Sequence, residues 1–245
     1  MVSPFLSVVI PAYNEEQRIA HTLEVVIRFL KTQGYSWEII VVDDGSEDKT
    51  ATLVRQVAQD NIGITLVGLP HKGKGSAVKE GMLQASGQYR FLADADLSMP
   101  IEQLQRFLPP ALDNFDIAIG SREILGSKRF HEPSKRHIMG RVFNLLVRFL
   151  AIKEISDTQC GFKCFEANVA ETLFPFQRAH GWGFDVEILF LAQKVGMNIH
   201  EIPIDWYYRQ GSKIRPWRDS FLMFRDLLFV RWNYATGKYR SLLHK

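Results

Sequence analysis

Short apolar runs alternate with segments of helical periodicity through the first half of the chain. The apolar runs predict five strands, at Leu6–Ala12, Trp37–Asp44, Gly63–Leu69, Tyr89–Asp96 and Asp116–Arg122. Apolar residues recur near helical spacing in the segments between them, which are Glu15–Lys31, Asp48–Gln59, Ser76–Ala85 and Ile101–Leu112. Strands that alternate with helices of this length predict right-handed βαβ units. The predicted fold class is therefore α/β, with a mostly parallel sheet sandwiched by helices.

The second half of the chain has a different pattern. Ile124–Arg136 is basic and lacks periodicity, which predicts a mobile loop, and a helix is predicted over His137–Leu150. A polar turn at Glu154–Thr158 precedes a further αβ unit around Gly183–Ile204. Leucine and aromatic residues alternate with Arg and Lys in Pro216–Lys245, which predicts a basic amphipathic helix that either lies in the headgroup plane of a membrane or packs on the core.

The composition excludes several classes of protein. The chain has 245 residues, of which 46% are hydrophobic and 23% charged, and these fractions exclude a disordered or fibrous protein. A net charge of +3 is too small to indicate nucleic-acid binding. Two cysteines, Cys160 and Cys164, exclude a disulfide scaffold. No stretch reaches the roughly 18 apolar residues of a membrane span, so we expect a soluble protein or one that lies on a membrane.

Polar residues cluster where the predicted strands end, and this is the edge at which open parallel sheets bind ligands. These residues are Pro11–Glu15 at the end of the first strand, Asp43–Ser46 at the end of the second, Asp94–Asp96 at the end of the fourth and Arg122 at the end of the fifth. Asn14 or Ser46 could instead cap a helix, and Asp43 and Asp44 could be turn formers. Their convergence on one edge favours a function.

The residue types at this edge indicate a nucleoside-diphosphate site. Asp94 and Asp96 are on the same side of an extended strand end, where two carboxylates can hold one Mg²⁺ or Mn²⁺ that bridges a diphosphate. Asp44 suits a ribose hydroxyl or a base edge, and Lys74 and Arg122 suit phosphates. The first turn lacks the glycines of a dinucleotide fold, and Gly75 stands where a P-loop needs a hydroxyl.

Four segments, SVVIPAYNEE, IIVVDDGSEDKT, GKGSAVKEGM and FLADADLS, follow one another between Leu6 and Arg122. They resemble the nucleotide-sugar domain of inverting family 2 glycosyltransferases of GT-A fold. Farther along, SDTQCGFKCF, GWGFDVEIL and GSKIRP resemble the polyprenyl-phosphate branch of that family, especially dolichyl-phosphate β-glucosyltransferases. The resemblance implies a metal-dependent enzyme, with Mg²⁺ or Mn²⁺, that moves a hexose to a polyprenyl or dolichyl phosphate. Glucose from UDP-glucose is the expected donor group.

The resemblance, together with the strand-end residues, gives an expected role to individual positions. The expected donor-binding residues are Pro11, Tyr13, Asn14, Glu15, Val42, Asp43, Asp44, Lys74, Ala95 and Ser98. The expected metal ligands are Asp94 and Asp96, and the expected catalytic residues are these two with Arg122 and Lys213. Contact with the acceptor or with phosphate is expected for Lys163, Asp185, Arg209 and Arg215. Ser98 stands where mannosyl relatives typically have Gln, which disfavours mannose.

The acceptor decides whether a general base is needed. A phosphate monoester has a second pKa of about 6, so its oxygen is already anionic at neutral pH and needs cations around it. A hydroxyl acceptor would instead need a carboxylate base, for which Asp157 and Asp185 are candidates. GDP-mannose as donor and a sugar hydroxyl as acceptor stay open, as does a sugar nucleotidyltransferase or a non-catalytic sugar-nucleotide binder.

The expected domain organisation follows from these assignments. Residues 1–215 form a GT-A domain with a nucleotide-sugar half (1–122) and an acceptor half (123–215), and residues 216–245 form an amphipathic helical segment. Because the expected acceptor is a lipid, we expect the protein to be cytoplasmic and peripheral on the cytoplasmic face of a membrane.

Overall fold

The computed structural model describes residues 3–131, 152, 154–209 and 216–243, with the backbone alone for 216–221. The strands are β1 (Leu6–Ala12), β2 (Trp37–Asp43), β3 (Ile64–Gly68), β4 (Tyr89–Ala93), β5 (Ile117–Ser121), β6 (Lys128–Phe130), β7 (Phe162–Glu166), β8 (Ile199–Pro203) and β9 (Asp205–Tyr207). The α-helices are α1 (Ile19–Lys31), α2 (Thr50–Gln59), α3 (Lys74–Gln84), α4 (Ala167–Leu173), α5 (Phe184–Lys194), α6 (Pro216–Ala235) and α7 (Arg240–Leu243). Ile101–Phe107 and Phe174–Phe176 are 3-10 helices.

The main sheet has the strand order β3-β2-β1-β4-β7-β5-β8 among the described residues. Its neighbours are parallel except at β7, which runs antiparallel to both β4 and β5. A second, two-stranded ladder pairs β6 with β9 in parallel. The prediction of a mostly parallel α/β sheet is therefore confirmed.

Helices cover both faces of the main sheet because its central strands are apolar on both sides. In β1, Val9 faces one hydrophobic cluster, with α3, α4 and α5 around it. Val8 and Ile10 face the other cluster, which contains the apolar stripe of α1 and the 3-10 helix Ile101–Phe107. Side chains alternate across a strand, so one continuous apolar run serves two layers of helices.

Several element boundaries differ from the sequence prediction. The fourth strand ends at Ala93 rather than Asp96, because a turn closed by the Leu97 amide on the Asp94 carbonyl (3.2 Å) ends the extended backbone. The predicted helix Ile101–Leu112 is a 3-10 helix that ends at Phe107. The predicted loop Ile124–Arg136 is wrong at residues 128–130, which form β6 because β9 offers them a partner strand. The predicted helix His137–Leu150 lies outside the described residues.

The C-terminal helix α6 packs one side against the core. Leu227 and Val230 are buried in the same cluster as α5, and Tyr239 beyond the helix is buried there as well. Leu228, Phe229 and Trp232 are exposed. Within the part of the chain that the structure describes, no helix is long and apolar enough to cross a membrane.

Candidate active site

The carboxyl ends of the parallel strands bring the predicted residues together at one edge of the sheet. Asp43 ends β2, Asp94 follows β4 directly and Arg122 follows β5 directly. Because β7 is antiparallel, its amino end lies at this same edge, and the segment 157–161 that precedes it joins the site. β7 was not predicted from the sequence, so the approach of this segment to Asp94 and Arg122 was not predicted either.

The loops after β1 and β2 are tied to each other. The Asn14 amide donates to the Ser46 hydroxyl (2.8 Å), and the Glu47 amide donates to Asn14 Oδ1 (2.8 Å). Asp43 accepts hydrogen bonds from both the amide (3.1 Å) and the hydroxyl of Ser46. Asn14 adopts a φ of 51°, a left-handed conformation that asparagine tolerates well. Asn14 and Asp43 therefore fix the shape of this end of the site.

Asp44 is buried, and its carboxylate holds the loop that precedes α3. Oδ1 accepts the Lys72 amide (2.9 Å), and Oδ2 accepts the Gly73 amide (2.8 Å). Oδ2 also lies 2.8 Å from Nδ1 of His71, whose ring stacks on Tyr13 with centroids 4.1 Å apart. His71 was not among the predicted site residues, although it lies two residues before the glycine-rich Gly73-Lys74-Gly75 stretch, which is a signal for a ligand-binding loop.

Asp94 and Lys74 form an ion pair, with Nζ 2.5 Å from Oδ1. Lys74 also lies over the Trp182 ring, 5.1 Å from its centroid. Burial lowers the pKa of Lys74, but the carboxylates of Asp94 and Asp185 more than offset this, so the pKa is raised and the side chain is a cation. The Ser98 amide donates to Oδ1 of Asp96 (2.8 Å), which orients the second carboxylate.

Gly161 lies directly behind Asp94. A Cβ at this position would stand 2.7 Å from Asp94 Oδ1, with Oδ2 closer still. Real Cβ atoms do not approach other heavy atoms this closely, so the Asp94 carboxylate occupies the space that a side chain at 161 would need. The glycine therefore makes room for the carboxylate.

Asp94 and Asp96 suit a divalent metal ion whose remaining ligands would come from substrate phosphates and water. Among the described residues, no group of three or more His, Cys, Asp or Glu side chains could hold a metal ion by itself. Mg²⁺ in nucleotide sites is commonly held by one or two carboxylates, with substrate phosphates and water as its other ligands. Asp94 and Asp96 have the right donor atoms for such a site.

Arg122 and Asp157 form a bidentate pair. The Nε and Nη2 atoms of Arg122 donate to the two carboxylate oxygens at 2.6 and 2.8 Å, and the Arg122 amide donates to Oδ2 at 3.0 Å. Burial alone would raise the pKa of Asp157, but the guanidinium outweighs it and the pKa is lowered. Asp157 is therefore an ionised partner of Arg122 near neutral pH.

Lys163 and Asp185 form a second, almost fully buried pair. Lys163 Nζ lies 2.5 Å from Asp185 Oδ1 and also donates to the Cys160 carbonyl. Burial raises the pKa of Asp185, and the nearby Lys163 and Lys74 ammonium groups act in the opposite direction. The pair lies inside the molecule, beside Lys74 and Asp94.

The remaining predicted residues occupy different surroundings. Glu15 pairs with Arg18 at 2.8 Å, and the Ala95 carbonyl accepts the Thr22 hydroxyl at 2.6 Å. Pro11 and Val42 lie in β1 and β2 near their carboxyl ends. Arg209 is exposed in the segment after β9. Lys213 and Arg215 lie outside the described residues, and the roles of all these positions stay predictions.

Comparison with known proteins gives the family. The family described as "Glycosyl transferase family 2" matches residues 7–174. The chain belongs to glycosyltransferase family 2. A relative from Dictyostelium discoideum named dolichyl-phosphate beta-glucosyltransferase is 37% identical over 95% of this chain and 76% of its own length. A human relative of the same name is 36% identical over 96% of this chain and 77% of its own length. The predicted family and the predicted enzyme class, a glycosyltransferase, are confirmed.

Solved structures of similar fold support the GT-A architecture of this family 2 enzyme. Glucosyl-3-phosphoglycerate synthase from Mycobacterium tuberculosis in complex with UDP has a TM-score of 0.65 and 20% identity, covering 93% of this chain and 80% of that chain. Its complex with Mn²⁺, UDP and glucosyl-3-phosphoglycerate has a TM-score of 0.66 and 18% identity, with the same coverage. At these identities the likeness concerns the fold, and the predicted GT-A fold is confirmed.

Proposed function

We propose that this family 2 enzyme transfers glucose from UDP-glucose to a polyprenyl phosphate such as dolichyl phosphate, with inversion at the anomeric carbon. The observation that carries the proposal is the arrangement of Asp94, Asp96 and Lys74 beside Asp44 at one sheet edge. Relatives with the matching name over most of the chain support the choice of substrate class. GDP-mannose is disfavoured as donor because Ser98 stands at the position where mannosyl relatives typically have Gln.

The donor is held along the strand ends in this proposal. Tyr13 and Asp44 contact the base and ribose, with Pro11, Asn14, Glu15, Val42 and Asp43 as the surrounding wall. Asp94 and Asp96, with the Ala95 backbone and Ser98, face the diphosphate, and Lys74 offsets its charge. The fixed loops described above support such a role, because preorganised groups need no reordering when the donor binds.

We propose that Mg²⁺ or Mn²⁺ is held by Asp94 and Asp96. When bound, the ion offsets negative charge on the UDP leaving group. Gly161 supports this role because it makes room for the Asp94 carboxylate at that position. Metal dependence can be tested with EDTA-treated protein, in which transfer is expected to stop and to return when Mn²⁺ is added.

A phosphate oxygen of the acceptor is the nucleophile in this proposal. It attacks the anomeric carbon while the bond from that carbon to the UDP oxygen breaks, which gives a β-glucosyl phosphate and UDP. No base is needed, since the acceptor is already anionic. The engagement of Asp157 by Arg122 supports this, because the lowered pKa of Asp157 makes it a poor proton acceptor near neutral pH. Asp185 is buried inside the molecule and paired with Lys163.

Cations must offset the repulsion between acceptor and donor phosphates. We assign this role to Arg122 and Lys213, and we propose Arg209, Arg215 and Lys163 as further contacts to phosphate. Asp157 holds the Arg122 guanidinium plane in place, and Cζ of Arg122 lies 5.7 Å from the centroid of the Trp206 ring. The bidentate pair would fix Arg122 at the edge where the two phosphates meet.

A membrane surface is the proposed place of reaction. Leu228, Phe229 and Trp232 are exposed by 50%, 44% and 68%. Together with Arg225, whose side chain is 65% exposed, they recur every three or four residues and form one stripe of α6. We propose that this stripe lies in the headgroup region on the cytoplasmic face, where Arg meets anionic lipid. Residues 1–215, with halves that meet near residue 122, would form the catalytic domain, and 216–245 would form the membrane-facing segment.

The test is an activity screen with purified protein. UDP-glucose, UDP-galactose, UDP-GlcNAc and GDP-mannose are each offered with a polyprenyl phosphate and Mn²⁺ or Mg²⁺, and the glycolipid is separated and identified. Fastest transfer from UDP-glucose to the lipid phosphate is expected. Transfer to free sugars that depends on Asp157 or Asp185 would contradict the proposal and favour a base-assisted hydroxyl transferase.

A further inference from the structure

The four-residue segment His71–Lys74 contacts both carboxylate centres of the donor site. Its first part is held by Asp44, which accepts the amides of Lys72 and Gly73 and pairs with the His71 ring. Its last residue, Lys74, pairs with Asp94 at 2.5 Å. One short segment thus connects the proposed nucleoside end of the site with the proposed metal end.

The backbone of this segment is fixed, so a rearrangement there must come from side chains. A Cβ at Gly73 would stand 2.7 Å from the His180 carbonyl, and one at Gly75 would stand 2.6 Å from the Ala179 carbonyl. Gln177 Nε2 donates to the carbonyls of both Gly75 and Ala179 at 2.8 Å. Such close backbone packing holds the start of α3 in place.

Asp94 Oδ1 is paired with the Lys74 ammonium group in this structure. A divalent ion needs carboxylate oxygens at about 2.0–2.6 Å, and an ammonium group on the same oxygen would repel it strongly at that range. Lys74 has a long, flexible side chain that can turn while its backbone stays in place.

We propose that Lys74 is the counter-cation of Asp94 when the site holds no metal ion, and that the Lys74 ammonium group would turn onto the donor diphosphate when a divalent ion is held by Asp94 and Asp96. The inference rests on the proposed function, because it needs a metal and a nucleoside diphosphate at this site. Lys74 then has opposite effects on the two ligands. It weakens metal binding while no nucleotide is present, and it strengthens nucleotide binding once the metal is in place.

The experiment measures Mn²⁺ binding by electron paramagnetic resonance and UDP binding by calorimetry, on the full chain and without acceptor. Lys74→Ala and Lys74→Gln are compared with Lys72→Ala, which removes the same charge two residues away. Lys72 contacts Asp44 through its backbone amide, which alanine keeps. Circular dichroism and the melting temperature verify that each variant is folded.

Lys74→Ala and Lys74→Gln are expected to bind Mn²⁺ at least fivefold more tightly without UDP, at the lower end of ordinary coupling between sites. Both are expected to bind UDP at least fivefold more weakly with saturating Mn²⁺. Lys72→Ala is expected to leave the affinity for Mn²⁺ within about twofold of the wild type.

Two results would overturn the inference while leaving the proposed function intact. Unchanged or weaker Mn²⁺ binding in both Lys74 variants would mean that Lys74 does not compete for Asp94. Tighter Mn²⁺ binding with unchanged UDP affinity would mean that Lys74 only repels the metal. Wild-type protein that binds neither Mn²⁺ nor UDP would instead overturn the proposed function together with the inference.

Discussion

Gly161→Ala tests whether the space behind Asp94 matters. The added Cβ would stand 2.7 Å from Asp94 Oδ1, with two further carboxylate atoms closer, whereas ordinary contacts begin near 3.4 Å. The Asp94 side chain must therefore turn away and give up its ion pair with Lys74. Overpacking of this kind costs about 1–3 kcal/mol of unfolding free energy. The displaced carboxylate should also abolish Mn²⁺-dependent UDP binding.

A double-mutant cycle isolates the cause. Urea unfolding gives the cost of Gly161→Ala in wild-type protein and again in an Asp94→Ala background, where the carboxylate that it would meet is absent. We expect the cost to fall to near zero in that background. Gly34→Ala is the matched control, because nothing lies within 4 Å of a Cβ there. An equal loss of stability in both backgrounds would refute the reasoning.

Three further changes test other parts of the site. Asp96→Ala should remove metal-dependent UDP binding and transfer while the melting temperature stays within a few degrees, and metal-independent turnover at the normal rate would contradict this. Asp157 has a lowered pKa in the folded state, so its ionisation stabilises the protein above about pH 3.8, and this stabilisation is lost as pH falls further. Asp157→Asn should therefore flatten the fall in melting temperature as the pH drops below about 4, and an unaltered slope would show that the pair is not responsible. Leu228→Ser with Trp232→Ser should weaken binding to anionic vesicles by tenfold or more without slowing transfer to a short, soluble prenyl phosphate, and equal vesicle binding would exclude the α6 stripe as the docking face.

The first half of the fold could be predicted because its signals are local. Leu6–Ala12 is a continuous apolar run between polar segments, and the strand has the same bounds in the structure. Polar residues that follow such strands must meet at one edge, which follows from parallel topology alone. The convergence of Asp44 and Asp94 needed no knowledge of the second half of the chain.

The partners of these residues were not predictable in the same way. The Asp44 carboxylate accepts hydrogen bonds from the backbone amides of Lys72 and Gly73. Every residue except proline has a backbone amide, so the residue types do not predict which amides will donate. Lys74 was expected to reach phosphate, and its pairing with Asp94 depends on where α3 begins. The sequence predicts that α3 begins at Ser76, which places Lys74 outside the helix, whereas the structure begins α3 at Lys74. The ends of a helix are the part of it that hydrophobic periodicity locates least well.

The direction of β7 explains most of what the sequence analysis missed. Phe162–Glu166 is only five residues long and includes Lys163 and Glu166, so its sequence identifies neither a strand nor its orientation. Had β7 been parallel to β4, its preceding segment would lie at the opposite edge of the sheet. Running antiparallel, it brings Asp157 to Arg122 and Gly161 to Asp94. The single reversed strand therefore supplies the partners of two strand-end residues, and its loss should disable both at once.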